Sequence, residues 1–201
     1  MRVVCISDTH NQHERLIVPE CDILVHAGDA TNSGTCKELD RFWAWMGCQP
    51  AKHKVFVPGN HDIACQKVSW RPSIVYGIHT LVDQTVELDG VQVFGSPWQP
   101  AFCDWAYNLP RNQHGLRNKW RDIPEDTQIL VTHGPAFGCL DDSKGCEFLA
   151  SRLANGLPDL ALHVFGHIHE GAGERIGRFT SVNATMAYLP GPRDPVVIDL
   201  A

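Results

Sequence analysis

Short apolar runs that stop abruptly at polar residues or glycine recur along the chain, and they constrain its fold more than any other feature. Each run is four or five residues long and rich in apolar, often β-branched side chains, which is typical of buried strands. The six runs are Arg2–Ile6, Asp22–Val25, Lys54–Val57, Val91–Phe94, Gln128–Val131 and Ala161–Phe165. Helical patterns lie between some of them, and this alternation predicts an α/β fold.

The clearest helix signal is a capping box at Thr35 and Glu38, whose side chains can each satisfy a free backbone donor. The apolar face that follows it consists of Leu39, Phe42, Trp43 and Met46. Further helices are predicted at Gln113–Arg121 and Cys146–Ala154, and further strands at Ile176–Val182 and Val196–Leu200. We therefore expect one domain over residues 1–201, in which two sheets lie face to face with helices outside.

Carboxylate, amide and imidazole side chains follow five of the six runs, where the carboxyl ends of strands collect at one edge of such a fold. They are Asp8, His10, Asp29, Asn60, His61, Asp62, His133, His167 and His169. No cysteine occurs at these turns, so the donors suit Mn, Fe, Zn, Co or Ni rather than a thiolate site. Nine residues exceed the needs of one ion, and a pair sharing a carboxylate is typical of phosphoester hydrolases.

The spacing within these motifs supports a metal site. In Asp8-Thr9-His10 and in His167-Ile168-His169 the two polar side chains are two residues apart, so an extended backbone points both to the same side. Taken singly, such motifs also occur as turn caps and surface histidines. Five of them at successive strand ends indicate one assembled site.

The five motifs together resemble those of the calcineurin-like metallophosphoesterases. They are Asp8-x-His10, Gly28-Asp29, Gly59-Asn60-His61-Asp62, Thr132-His133 and Gly166-His167-x-His169. A narrower similarity, which includes residues 95–100 and 108–111, is to the metallophosphoesterase-domain-containing (brain 239-like) subgroup, itself similar to class III cyclic-nucleotide phosphodiesterases. The resemblance implies a four-layer α/β/β/α sandwich of two mixed sheets with helices outside.

The resemblance implies two groups of metal ligands that share the bridging carboxylate of Asp29. The first ion would be held by Asp8, His10 and His169, and the second by Asn60, His133 and His167. The cofactor is thus predicted to be two divalent ions, from among Mn, Fe, Zn, Co, Ni and Mg, with Mn expected to support activity in vitro.

His61 and Asp62 are the implied catalytic pair. His61 would lie beside the leaving-group oxygen, and Asp62, where the subgroup often has Glu, would orient its ring from the far nitrogen. The expected mechanism is in-line attack of a metal-bridging hydroxide on phosphorus, while protonated His61 stabilises or protonates the departing alkoxide.

Small phosphodiesters, with cyclic nucleotides as the expected class, are the leading interpretation of the substrate. One alternative is a phosphomonoesterase or protein phosphatase of the same superfamily. Another is a low-activity metal- or nucleotide-binding scaffold, although a binding module has no need of a leaving-group acid such as His61.

The segment Ser96–Arg111 is rich in aromatic residues and proline. It is interpreted either as a loop anchored by its own rings or as a wall of the site on which a nucleobase stacks. In the second case Trp98, directly after a strand end, would contact the base. Arg111 would contact phosphate or cap the next helix.

The composition limits which binding partners and which cellular compartment are expected for this chain. The formal net charge of −6 disfavours binding to long nucleic acids or anionic membranes, and no apolar run approaches the 18 residues of a membrane span. The chain has eight cysteines but no Cys-x-x-Cys pair, and its first apolar run is shorter than that of a signal peptide. We expect a cytoplasmic protein with reduced thiols; the sequence does not indicate its oligomeric state.

Overall fold

The computed structural model describes residues 1–67, 74–111, 114–187 and 194–200. Its α-helices are α1 Cys36–Gly47, α2 Ile63–Gln66, α3 His114–Arg121 and α4 Glu147–Asn155, and two 3-10 helices span His13–Arg15 and His169–Gly171. The first seven strands are β1 Arg2–Ile6, β2 Cys21–His26, β3 Ala51–Phe56, β4 Ile74–Val75, β5 Ile78–Thr80, β6 Gln84–Leu88 and β7 Val91–Ser96. The others are β8 Gln99–Pro100, β9 Asn108–Leu109, β10 Ile129–Thr132, β11 Leu162–Phe165, β12 Gly173–Ile176, β13 Thr180–Asn183 and β14 Val196–Asp199.

Twelve of these strands form two sheets of six. The strand order is β14-β1-β2-β3-β5-β4 in the first sheet and β12-β13-β11-β10-β7-β6 in the second. In each sheet the four central strands are parallel and the two edge strands are antiparallel to their neighbours. Both sheets are therefore mixed, as the resemblance implied.

The alternation of side chains along each central strand produces the layers. In β1, Val3 and Cys5 point into a core shared by the two sheets, while Val4 and Ile6 point outward to the core beneath α1. In β10, Leu130 points outward to the core beneath α3 and α4. Each fully buried aliphatic side chain contributes about 1.5–3 kcal/mol to folding. The order helix, sheet, sheet, helix confirms the predicted four-layer sandwich.

The helix predictions hold closely. The capping box at α1 is formed, since the Glu38 amide donates to Thr35 Oγ1 at 3.2 Å and the Thr35 amide donates to the Glu38 carboxylate at 2.9 Å. Helix α4 begins one residue later than predicted and ends one residue later. Helix α3 begins at His114, and Gln113, the predicted first residue, lies outside the described residues.

The prediction of one strand over Ile176–Val182 is wrong. The structure has a hairpin there, in which β12 and β13 pair antiparallel with Ile176 opposite Thr180. A turn at residues 177–179 separates the two strands, and the Gly177 amide donates to the Phe179 carbonyl. Ile176, at the end of β12, is 84% exposed, so this apolar residue does not mark the start of a buried strand.

Two further findings concern the setting. All eight cysteines carry free thiols. Within the described ranges, no helix has both the length and the apolar character needed to cross a membrane.

Candidate active site and metal centre

Five strands deliver polar residues to one edge of the sandwich. In the first sheet, Ile6 of β1 lies beside His26 of β2, which in turn lies beside Phe56 of β3, so these three strands end level with each other. Strands β10 and β11 of the second sheet end at Thr132 and Phe165. The loops that follow meet across the top of the shared core, and they bring together all seven predicted metal ligands.

The first group of possible ligands is Asp8, His10 and His169, whose donor atoms all lie within 4.8 Å of one another. His169 Nε2 is 3.1 Å from Asp8 Oδ1. His10 Nε2 is buried and has no hydrogen-bond partner among the described residues. An unpaired buried imidazole nitrogen is costly, and a metal ion held here would satisfy it.

The second group is Asp29, His133 and His167, again with donor atoms within 4.8 Å. His133 Nε2 lies 3.4 Å from Asp29 Oδ2 and 2.9 Å from Asn60 Oδ1, so the Asn60 amide belongs to the same group. Asp29 also lies near the first group, because its Oδ2 is 4.0 Å from His10 Nε2. One carboxylate therefore stands between two sets of oxygen and nitrogen donors, an arrangement that fits two divalent ions.

The backbone is bent unusually at these turns. Asp8, His10, Asp29 and His167 all have positive φ angles, of 52°, 42°, 56° and 67°. Left-handed backbone in residues other than glycine costs about 1–3 kcal/mol each and is concentrated at functional sites. At Gly166 a Cβ atom would collide with the Asp8 carboxylate, so only glycine allows this approach.

The electrostatics suit a cation. Burial by itself would raise the pKa of Asp8, but a hydrogen bond with His169 and the charge of His133 lower the pKa overall. Burial also opposes ionisation of Asp29, and the charge of His133 again lowers the pKa of that carboxyl group. Burial disfavours a proton on His133, yet Asp29 raises the pKa of His133 to about 9. Two buried carboxylates thus hold a positive charge between them.

Asp62 does not contact the ring of His61, which differs from the orienting role that the resemblance implied. Its carboxylate is buried and accepts hydrogen bonds from the Gly59 amide at 2.8 Å and from the amide and hydroxyl of Thr31 at 3.1 and 2.8 Å. Burial, followed by the charge of Asp29, raises the pKa of Asp62 to about 7. Asp62 therefore joins the loop after β2 to the loop after β3.

The partner of His61 Nδ1 is the main-chain carbonyl of Asn32, 2.7 Å away, rather than the expected Asp62 carboxylate. The other ring nitrogen, Nε2, is 3.9 Å from Asp29 Oδ2 and so lies beside the candidate ligands. A carbonyl can only accept, so Nδ1 carries hydrogen and Nε2 is available to a ligand in the cavity.

A cavity of about 770 Å³ opens over this cluster, within the range of small-molecule sites. Asp29, Asn60, His61, His167 and His169 lie at its base. Two exposed rings, Phe102 and Trp105, stand on one side, and Pro135, Ser143 and Lys144 also line it.

The structure does not place Trp98 in this cavity. Its indole Nε1 donates to Asp83 Oδ2 at 2.9 Å, and the Lys119 ammonium lies 4.5 Å from its ring centroid. The ring at the cavity is that of Trp105, together with Phe102. The aromatic richness of the segment was the available sequence signal, but the choice of ring depends on the pairing of β8 with β9.

Arg111 does line the cavity, but its guanidinium is used within the protein. It donates to the carbonyls of Gly145 and Lys144 at 2.7 and 2.6 Å, and to the Glu147 carboxylate at 2.8 Å. It therefore ties the segment after β9 to residues 144–147, which include the first residue of α4.

Comparisons with known proteins agree with this geometry. The model of the calcineurin-like phosphoesterase family matches residues 1–171. The human protein named metallophosphoesterase domain-containing protein 1 is 39% identical over 233 residues, which cover 99% of this chain and 71% of the human one. The crystal structure of a phosphopantetheinyl hydrolase, PptH, from Mycobacterium tuberculosis has a TM-score of 0.59 at 13% identity, covering 92% of this chain and 89% of that one. Its likeness shows the fold alone.

Fold and site together define a phosphoesterase of the kind that uses divalent metal ions. The chain belongs to the calcineurin-like phosphoesterase family, and its similarity to the human protein supports the subgroup of metallophosphoesterase domain-containing proteins.

Proposed function

We propose that this chain, acting as one domain over residues 1–201, is a dimetal phosphodiesterase for small phosphodiesters, with cyclic nucleotides as the expected class. The observation that carries the proposal is the position of Asp29 between two donor groups, with His61 Nε2 beside it at 3.9 Å. His61 also lies within 4.8 Å of the donor atoms of His10 and Asp29, and its bond to the Asn32 carbonyl leaves Nε2 available to a ligand in the cavity.

The donor groups fit two ions in the way that the resemblance implied. Asp29 would bridge, and the remaining ligands would be Asp8, His10 and His169 for one ion and Asn60, His133 and His167 for the other. Bound divalent ions would supply a water molecule acidic enough to act as the nucleophile and would neutralise the phosphoryl oxygens. Oxygen and imidazole donors accept Mn, Fe, Zn, Co, Ni or Mg, and Mn is proposed to support activity in vitro.

His61 is proposed as the general acid. In the reaction the water oxygen becomes bonded to phosphorus, and the bond from phosphorus to the leaving oxygen breaks. That oxygen takes the proton from His61 Nε2, which yields a phosphomonoester and an alcohol. The attacking water gives up one proton to solvent, and solvent then restores the proton on Nε2. The Asn32 carbonyl accepts from Nδ1 throughout, so Nδ1 keeps its hydrogen while the proton leaves the opposite nitrogen.

The cavity supports a compact substrate. Its volume of about 770 Å³ accommodates a nucleotide-sized molecule, and the formal net charge of −6 opposes binding to long nucleic acid. The eight free thiols are consistent with the cytoplasmic setting proposed from the sequence.

The test compares diester and monoester turnover after the metal has been removed by chelation and Mn²⁺ has been restored. We expect faster hydrolysis of bis-p-nitrophenyl phosphate than of p-nitrophenyl phosphate, and turnover within a panel of 3′,5′- and 2′,3′-cyclic nucleotides. A preference for the monoester would favour the phosphomonoesterase or protein phosphatase alternative. Tight Mn²⁺ binding with no turnover of either ester would favour the scaffold alternative.

The variant His61→Asn tests the role of the general acid separately from that of the metal ligands. We expect kcat for a cyclic nucleotide, whose alkoxide leaving group needs a proton, to fall by about 100- to 10,000-fold, because a positioned general acid contributes a factor of this order. The bound metal, measured by elemental analysis, should stay at the wild-type level. Undiminished turnover would remove His61 from the mechanism.

A further inference from the structure

The imidazole of His61 has one hydrogen bond at its far nitrogen, and this bond alone does not fix the ring. A single bond from Nδ1 to the Asn32 carbonyl, at 2.7 Å, limits rotation about the Cβ–Cγ bond but still lets the imidazole tilt around that contact. Efficient proton donation requires Nε2 to point at the leaving oxygen within a narrow range of angles. A second contact is needed to hold the plane of the ring.

Trp105 supplies that contact. Its indole meets the His61 ring in a T-shaped arrangement, with the centroids 3.7 Å apart and the planes at 82°. This separation is shorter than the roughly 4.5–7 Å usual for aromatic pairs, so the two rings are in direct contact. The ring of His10, also T-shaped to His61, has its centroid 4.7 Å away. Rotation of the His61 plane would therefore collide with a neighbouring ring.

The segment that carries Trp105 is fastened to the residue directly before His61. The Ala106 amide donates to the Asn60 carbonyl at 3.2 Å, and Gln99 Nε2 donates to Asn60 Oδ1 at 3.0 Å. Gln99 precedes Trp105 and Ala106 follows it. These two bonds to Asn60, one from the main chain and one from a side chain, therefore fix the position of Trp105 relative to His61. Such support keeps an active-site group within the tolerance that catalysis requires.

Packing in the core does not explain the position of Trp105. Among the described residues, its side chain belongs to none of the three hydrophobic cores, and it is 39% exposed. A ring that keeps 39% of its surface exposed gains less from burial than it would inside a core. Within the described part of the chain, its closest ring contact is the one with His61.

We infer that Trp105 is a positioning residue for His61, and that it determines how well the protein protonates poor leaving groups. The inference rests on the proposed function, because it takes His61 as the general acid. The resemblance implied that Asp62 orients the His61 ring. We assign that role to Trp105 and to the Asn32 carbonyl instead.

The leaving group provides the test, since p-nitrophenolate departs readily as an anion and phenolate gains more from a proton. Methyl p-nitrophenyl phosphate and methyl phenyl phosphate are compared with the Mn²⁺-restored wild type and with Trp105→Leu. For Trp105→Leu we expect kcat to fall about tenfold or more with the phenyl ester and by less than about twofold with the p-nitrophenyl ester. Trp105→Phe should recover part of the loss.

Phe102→Leu is the matched control, because Phe102 lines the same cavity from the same loop but contacts His167, with centroids 6.3 Å apart, rather than His61. We expect it to change the two substrates by equal factors. An equal loss of kcat on both substrates in Trp105→Leu would make Trp105 a substrate contact and would overturn the inference.

A second readout does not depend on turnover. In NMR spectra of the metal-free protein, the carbon-bound ring protons of His61 should show a ring-current shift that is lost in Trp105→Leu and kept in Phe102→Leu. Unchanged His61 signals in Trp105→Leu would show that the contact is absent in solution, which would overturn the inference alone. If the wild type hydrolyses neither ester, the proposed function fails first, and the role inferred for Trp105 fails with it.

Discussion

The seven candidate ligands at and beneath the base of the cavity are here called the floor, and residues 99–109 at its side are called the wall. The two are held in place by contacts that span very different distances along the chain. In the floor, the His167 amide donates to Asp8 across 159 residues, and His133 Nδ1 lies 2.8 Å from the Ala27 carbonyl across 106 residues. In the wall, the Gln99 amide donates to the Tyr107 carbonyl and the Ala101 amide to the Leu109 carbonyl. The floor thus forms only when both sheets have assembled, whereas the wall is bonded mainly within itself.

Because of this difference, we expect substitutions in the floor and in the wall to have different effects. Asp8, Asp29 and His133 are almost completely buried, so a substitution there leaves an unpaired charge or a cavity. Phe102 and Trp105 are 60% and 39% exposed, and replacing them disturbs little besides the cavity that they border. We therefore expect changes in the floor to abolish chemistry and changes in the wall to adjust substrate preference.

The largest effect is expected for Asp29→Asn in the floor. Loss of the shared carboxylate should remove metal from both donor groups and lower kcat/KM for bis-p-nitrophenyl phosphate by about a thousandfold, or about 4 kcal/mol. Elemental analysis and steady-state kinetics measure the two effects. Asp159→Asn, at an exposed turn, is the control and should change neither. Full metal content and full activity in Asp29→Asn would remove Asp29 from the site.

A smaller effect, on stability, concerns the layer beneath the floor. His163 in β11 is fully buried, and its Nε2 lies 2.9 Å from the hydroxyl of Thr132, the residue before His133. Burial lowers the pKa of His163 to about 3, from 6.5. Below pH 6.5 the unfolded chain therefore binds a proton that the folded chain does not, so acid favours unfolding.

Between pH 7 and pH 4.5 this one histidine should cost the wild type about 3 kcal/mol of unfolding free energy. Urea denaturation at the two pH values should show a smaller loss, by about that amount, in His163→Gln. Equal acid sensitivity of wild type and His163→Gln would show that His163 is protonated in the folded chain.

The smallest effect is expected for Arg111→Lys beside the wall. A lysine cannot reproduce three hydrogen bonds to Gly145, Lys144 and Glu147, so that side of the cavity should loosen. We expect KM for the diester to rise about threefold to tenfold, near 1 kcal/mol, with kcat within about twofold of wild type.

The variant Glu147→Gln distinguishes two roles for Arg111, a tether within the protein and a contact to substrate phosphate. It weakens the ion pair with Arg111 but leaves the guanidinium unchanged. A rise in KM in both variants supports the tether. A fall in kcat in Arg111→Lys alone would support the substrate contact that the sequence suggested for Arg111.

The parts of the molecule that the sequence predicted well are those set by local periodicity. Strand β1 alternates between two cores, and the turn after it begins where the apolar run stops, so the position of Asp8 follows from the pattern. Helix α1 is equally local, since its capping box and its apolar stripe lie within twelve residues.

The parts that it predicted poorly depend on contacts between distant segments. Whether Trp98 or Trp105 faces the cavity depends on the pairing of β8 with β9 and on two residues that hold the Trp98 indole, Asp83 before β6 and Lys119 in α3. The partner of His61 could not be read from the sequence either, because it is a main-chain atom on a loop 29 residues away.

A backbone oxygen beside His61 has a consequence for comparing relatives. Any amino acid at position 32 presents the same carbonyl, so substitutions there are silent with respect to this hydrogen bond as long as the loop keeps its shape. The shape of this loop depends on Glu38, whose carboxylate accepts a hydrogen bond from the Ser33 amide at 3.2 Å. A homologue without an acidic side chain next to its histidine has therefore not necessarily lost its proton donor, and its competence is better judged from the residues that shape the loop.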